Sequence, residues 1–342
     1  MRKQALSLWV LLFAAIACQE PSKDEAIKEK NPISEKSVIA DNTFTNLYDA
    51  FGKNRDGLTK DFGFSALIKY KGKLILFDSG TNADILKRNV ETLGIDLAKV
   101  EIAIASHVHG DHINGFDYLL AVNPDVKIYF PSDFFGGAPI HFSVEGKEKE
   151  VMDSLPQEMR YFDGEKLDFE IVQSGRFWKA NIEYVKENRE IEPGLRLIFT
   201  RSPFLGYCSR YPSVTEMSAM SDGNEQIDNS DTKYAGMPEL SLSLDGEAGE
   251  ILIVGCSHSS VQTIVKETKR VTSREIALLA GGYHMLPYDR AELNVVAKQL
   301  KYDFGVKQVA PAHCTGHLAF KILQDVYAEN YLFAGLGETV AF

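Results

Sequence analysis

A chain of 342 residues with a formal net charge of −11 is long enough to bury a substantial core, as one large domain or two small ones. Its 44% hydrophobic and 25% charged residues match an ordinary globular protein. The acidic balance and the lack of a basic cluster argue against a nucleic-acid partner, and point mainly to solubility.

In chain order, Arg2 and Lys3 form a charged n-region, and Leu6 through Ala17 form an apolar run ending in small residues. That is the pattern of a signal peptide over residues 1–17. The run is too short for a comfortable membrane span of about 20 residues. Ala15-Ile16-Ala17-Cys18 resembles the lipobox of bacterial lipoproteins, although Leu is more typical than Ala at the first position. The resemblance implies cleavage before Cys18, acylation of that cysteine, and contact with the membrane through the lipid anchor alone. The protein would then face the periplasm or the exterior at a bacterial cell envelope. A plain secretory signal with an incidental cysteine is the other reading.

Residues 18–37 are charged and poor in apolar side chains, so they read as a flexible tether, with the folded part beginning near Val38. Phe64–Tyr70 and Lys73–Phe77 form two β-rich runs split by Lys71-Gly72, a hairpin signal, and the second run ends at Asp78-Ser79-Gly80. Asn82 suits the N-cap of a helix to Leu93, with Ile85, Leu86, Val90 and Leu93 on one face and Gly94 as the stop. Val100–Ala105 reads as a buried strand, Ile113–Val122 as a helix and Val126–Tyr129 as a strand.

The segment from about 130 to 236 is less regular. It holds a strand-like Leu195–Thr200 and a long polar stretch from Tyr211 to Asp231, which reads as an insertion or lid over a site. The last third alternates: strand Glu250–Val254, helix Val261–Thr268, strand Ile276–Leu279, helix Arg290–Lys301, strand Lys307–Ala310 and helix Leu318–Ala328. Hairpins followed by β-α alternation suit layered sheets covered by helices. The sharpest motifs lie just after strands, where α/β proteins place their chemistry.

Those motifs hold seven of the eight histidines. In Ser106-His107-Val108-His109-Gly110-Asp111-His112, His107 and His109 alternate on an extended segment, so both imidazoles can point the same way. Asp111 and His112 open the next helix and add a carboxylate and a third imidazole. One loop thus offers two clusters of zinc-compatible N and O donors. Closed structural zinc sites favour Cys-rich tetrads with CxxC spacing, and this chain has no such spacing. An open His and carboxylate set favours catalysis.

His258 and His313 each follow a strand and a small-residue turn, a placement suited to ligands. His284 stands beside Tyr283 in a Gly-Gly turn, where ligand, substrate contact and packing roles are all open. His317 reads as structural and His141 has no partner motif. Phe204, Tyr207, Tyr211 and Tyr283 could line a pocket or simply pack in the core. Of the remaining cysteines, Cys208, Cys256 and Cys314, two sit beside histidines, so a site role suits them better than a staple, and at most one bridge could form.

The HxHxDH loop and the upstream Leu76-Phe77-Asp78-Ser79-Gly80 turn resemble the metallo-β-lactamase superfamily. Gly255-Cys256-Ser257-His258, Gly281-Gly282-Tyr283-His284 and His313-Cys314-Thr315-Gly316 narrow the likeness to the branch of the 7,8-dihydropterin-6-methyl-4-(β-D-ribofuranosyl)aminobenzene-5′-phosphate synthases. The resemblance runs from about Val38 to the C-terminus and is thin between Phe130 and Met237. It implies a four-layer αββα sandwich of mixed α/β class over residues 38–342, with two divalent metal ions at one edge, zinc first and manganese or iron as alternatives.

By the same resemblance His107, His109 and His258 hold one metal, and Asp111, His112 and His313 the other; which metal His258 serves stays open. Cys256 stands where many relatives place a bridging Asp, so it is a soft ligand or a bystander. Asp78 would orient a ligand through hydrogen bonds. The sequence departs from the branch in reading Val108 and Gly110 inside the loop, Ile113-Asn114-Gly115 after it, and Pro238-Glu239-Leu240-Ser241 before the Gly-Cys-Ser-His strand. These changes spare the ligands and leave the substrate open.

The expected activity is metal-dependent hydrolysis of a small phosphoester, lactone or amide, with Asp111 orienting the nucleophile and relaying protons as well as ligating. Three alternatives stand beside it. One is a synthase-like transferase, one a metal-retaining surface lipoprotein that only binds, and one an iron-dependent redox enzyme.

Overall fold

The computed structural model describes residues 42–132, 140–143, 150, 153–154, 168–171, 176–177, 179–201 and 237–342. The signal peptide, Cys18, the tether, Phe204, Tyr207, Cys208 and Tyr211 lie outside the described residues.

The strands are, in order, β1 (Thr43–Tyr48), β2 (Ser65–Tyr70), β3 (Lys73–Phe77), β4 (Ile102–Ile104), β5 (Lys127–Pro131), β6 (Ile140–Ser143), β7 (Asp168–Ile171) and β8 (Ile182–Val185). Then come β9 (Arg189–Glu192), β10 (Leu195–Arg201), β11 (Pro238–Gly246), β12 (Gly249–Val254), β13 (Ile276–Gly282), β14 (Gln308–Ala312) and β15 (Thr339–Ala341). One sheet has seven strands in the order β15-β1-β2-β3-β4-β5-β8, and a second has six in the order β14-β13-β12-β11-β10-β9. β6 and β7 pair with each other.

The period-two alternation of these strands sorts side chains into three apolar layers. Ile75 and Phe77 of β3 face Ile251 and Ile253 of β12 in a core between the sheets. Leu76 turns the other way, onto Leu86 and Val90 of α1 (Ala83–Thr92). Leu252 and Val254 turn onto a layer with Val261 and Ile264, Leu293 and Val296, and Ile322 and Leu323. Those residues belong to helices Val261–Thr272, Arg290–Lys298 and His317–Tyr327. The result is the αββα sandwich.

Local chemistry sets the helix ends. The Asn82 side chain accepts from the backbone N–H groups of Asp84 and Ile85, and Asp289 with Glu292 closes a capping box. The helix expected at Ile113–Val122 is two pieces, Gly110–Ile113 and Phe116–Val122. The break falls where Gly115 passes the 78–80 turn, since a Cβ there would lie 1.9 Å from the Ser79 carbonyl oxygen. Within the segment read as irregular, β8 joins the first sheet and β9 and β10 join the second.

The strands β3-β4-β5 run parallel, as do β12-β13-β14. Their C-terminal ends deliver the turns that begin at Asp78, Ser106, Gly255, Tyr283 and His313 to one edge of the sandwich.

Candidate metal centre

β4 ends at Ile104, and the following turn is pinned to both sheets. Leu240 N–H donates to the Ser106 carbonyl at 2.7 Å, and Ser79 N–H donates to the His112 carbonyl at 2.6 Å. Gly255 lets the Gly-Cys-Ser-His turn come close, for a Cβ there would stand 2.1 Å from Ser106 Oγ and 2.9 Å from Asp78 Oδ2.

Asp78 is fully buried at a positive φ of 56° and collects three donors. Oδ1 accepts Ser106 N–H, and Oδ2 accepts Ser106 O–H and lies against His112 Nδ1, each at 2.7 Å. Ser106 Oγ is also 2.8 Å from His107 Nδ1. With its own proton on Asp78, the hydroxyl can only accept from His107. Both Nδ1 atoms therefore carry protons, and the Nε2 lone pairs of His107 and His112 point away from this network.

Those lone pairs meet two clusters of donors. The ligand atoms of His107, His109 and His258 lie within 4.8 Å of one another, as do those of Asp111, His112 and His313. In the second cluster Asp111 Oδ2 is 3.6 Å from His112 Nε2 and 3.4 Å from His313 Nε2. A tetrahedral zinc with bonds of about 2.0–2.1 Å spaces its N and O donors roughly 3.4 Å apart. The Nε2 of His107 and the Nδ1 of His313 are buried with no hydrogen-bond partner among the described residues. These donors fit divalent cations, and all the ligands expected from sequence come together.

The electrostatics agree for the first cluster. Burial and neighbouring imidazoles hold His107 and His258 well below the ordinary histidine value. Burial also lowers His109, against the pull of Asp111. These rings are neutral, the form that binds metal. In the second cluster burial would raise Asp111, but its contacts with the His112 and His313 rings outweigh it and keep the carboxyl below its usual range. His313 is pushed up to about 10: burial opposes this, while the Cys314 thiolate and Asp111 prevail.

Cys256, expected as a soft ligand or a bystander, is buried with its Sγ grouped with the ring nitrogens of His107 and His112. It also touches His284 Nδ1 at 3.0 Å and Cys314 Sγ at 3.1 Å. The His284 ring lies 4.5 Å from that of His258. Tyr283 is a core residue whose hydroxyl donates to the Leu279 carbonyl.

Two orienting residues were given no role by the sequence. The Asp49 carboxylate, just past β1, accepts His313 N–H at 2.9 Å. Glu239 in β11 accepts the N–H groups of His258 and Ser259 at 2.7 and 2.8 Å. Neither belongs to a histidine motif, and only strand pairing brings them to the site.

Residues 58–184 match the family model of the metallo-beta-lactamase superfamily. The chain carries a metallo-beta-lactamase superfamily domain. Over 292 residues it is 25% identical to the 7,8-dihydropterin-6-methyl-4-(β-D-ribofuranosyl)-aminobenzene-5′-phosphate synthase of Methanocaldococcus jannaschii, covering 82% of this chain and 90% of the relative. It is 25% identical over 189 residues to the anti-Pycsar protein Apyc1 of Paenibacillus xerothermodurans, covering 54% of this chain and 66% of that one. A solved structure, Tm1679, described as a metal-dependent hydrolase of the beta-lactamase superfamily, superposes with a TM-score of 0.60 at 20% identity. That match covers 88% of this chain and 99% of Tm1679, and the shared fold is the metallo-beta-lactamase sandwich.

Proposed function

We propose that this metallo-beta-lactamase-fold protein is a metal-dependent hydrolase of a small phosphoester, lactone or amide-type substrate. In this reading Cys18 carries a lipid anchor that holds the domain at a bacterial cell envelope, and no nucleic acid is involved. The observation that carries the proposal is Asp111 Oδ2 standing 3.6 Å from His112 Nε2 and 3.4 Å from His313 Nε2, beside the three-imidazole cluster of His107, His109 and His258.

Two divalent cations held there, zinc in the first instance, would lower the pKa of a water and offset negative charge that develops on substrate. The protein's own groups do the rest. Asp78 and Ser106 fix the tautomers and ring orientations of His107 and His112. Asp111, kept ionised by the neighbouring imidazoles, can accept a hydrogen bond from the nucleophile and orient it. Phe62, about half exposed and 4.9 Å from the His313 ring, gives the mouth an apolar edge.

The test is metal analysis of the purified protein, with turnover on a panel of chromogenic esters, phosphodiesters and lactams. His109→Ala and Asp111→Ala should lose both metal and turnover, and full activity in either variant would overturn the mechanism. Failure across the whole panel with metals bound would move the reading to a surface protein that only binds. A synthase-like transferase is the second reading, favoured by the 25% identity over 82% of the chain to the dihydropterin enzyme. Product analysis with pterin substrates separates it from hydrolysis.

A further inference from the structure

The turns after β12, β13 and β14 each bring one more donor to a point beside the two clusters already described. Cys256, His284 and Cys314 have their ligand atoms within 4.8 Å of one another. Both cysteines are free and buried. Their sulfurs are 3.1 Å apart, and Cys256 Sγ is 3.0 Å from His284 Nδ1.

The surroundings are built for this convergence. His284 N–H donates to Cys314 Sγ at 3.3 Å, while Met285 and Leu286 donate to the Cys314 carbonyl at 3.1 and 3.3 Å, locking two of the turns together. Gly282 leaves the room, since a Cβ there would come 3.0 Å from Cys314 Sγ. Ser257, His284 and His313 all hold positive φ angles, of 63°, 51° and 47°. Such strain persists only where the surroundings over-determine it, and it gathers at functional sites.

We infer that Cys256, His284 and Cys314 form a third cation site, with two sulfur donors and one nitrogen, selective for thiophilic ions such as Zn2+ or Cu+. Two thiolates on one zinc, with bonds of about 2.3 Å, stand roughly 3.8 Å apart. The sulfurs at 3.1 Å reach that spacing by small side-chain rotations. Two thiolates and a neutral imidazole make a divalent ion electrically neutral there, so a third cation adds no net charge beside the other two clusters. Soft sulfur donors also separate this site from the N and O clusters, which suit harder ions. Cys256 Sγ is grouped with His107 and His112 as well, so the soft site lies directly beside the dinuclear pair. The inference goes beyond the hydrolase reading and does not depend on turnover.

The test is a Co2+ titration of the metal-free full-length protein carrying Cys18→Ser and Cys208→Ser, followed by absorption and equilibrium dialysis. The expected result is three bound equivalents, with a sulfur-to-cobalt charge-transfer band growing alongside the third. Cys314→Ser and His284→Ala should each bind two equivalents and lose that band, while the visible bands of the first two ions persist. Two equivalents only, without the band, would overturn the inference. So would a band that arises within the first two equivalents and survives Cys314→Ser, which would make Cys256 a ligand of the dinuclear pair alone. A purified protein 2 Da light, with no titratable Cys256 and Cys314 thiols, would also overturn it by showing a disulfide instead.

Discussion

Replacing Asp78 with Asn exchanges one oxygen for an amide nitrogen at a fully buried position. Oδ2 now takes Ser106 O–H and His112 Nδ1, each at 2.7 Å, and an NH2 group in that place would face two donors. The hydroxyl can rotate away. His112 can recover a bond only by moving its proton to Nε2, which removes the lone pair a metal needs. Hydrogen bonds to a charged group contribute about 1.5–3 kcal/mol each, and removing a group that orients a ligand typically lowers metal affinity about 10–100-fold. That range corresponds to roughly 1.4–2.8 kcal/mol, so losing one such bond accounts for it. Competition against a chromophoric chelator measures the affinity, and circular dichroism checks that the variant is folded. A folded Asp78→Asn protein that binds zinc within twofold of the parent would refute the proposed role of Asp78.

Gly255→Ala should destabilise the fold by about 1–3 kcal/mol through overpacking, because its Cβ would stand 2.1 Å from Ser106 Oγ; urea unfolding reads this, and an unchanged midpoint would contradict the close approach of the two turns. His313, pushed up to about 10, is protonated in the metal-free protein at neutral pH and must lose that proton to ligate. Apparent metal affinity should therefore rise about tenfold per pH unit between pH 7 and 9 from this one proton, with proton release seen by calorimetry in buffers of different ionisation enthalpy. A flat profile would show that metal binding displaces no proton from His313.

The Ser106–His112 loop was legible because its signal is local: a period-two strand end followed at once by a helix start fixes where four donors point. Asp78 was legible only through the likeness of its Leu76–Gly80 turn to the family, which local pattern alone does not supply. β1 was not, since Thr43–Tyr48 is recognisable as a central strand only through its pairing with β2 and β15, the latter almost three hundred residues away. β11 hid behind its polar residues: Glu239, Ser241 and Ser243 are all buried, and their partners come from other strands and turns. The helix break at Gly115 depends on a carbonyl from the 78–80 turn, a contact no local pattern encodes. The substrate is the least legible of all, because recognition depends on which side chains rim the mouth and not on the ligands beneath.

The most direct measurement is an anomalous difference map from a zinc-loaded crystal, collected on both sides of the zinc absorption edge. One peak is expected among His107, His109 and His258 and a second among Asp111, His112 and His313. A loaded, folded protein with neither peak would contradict this.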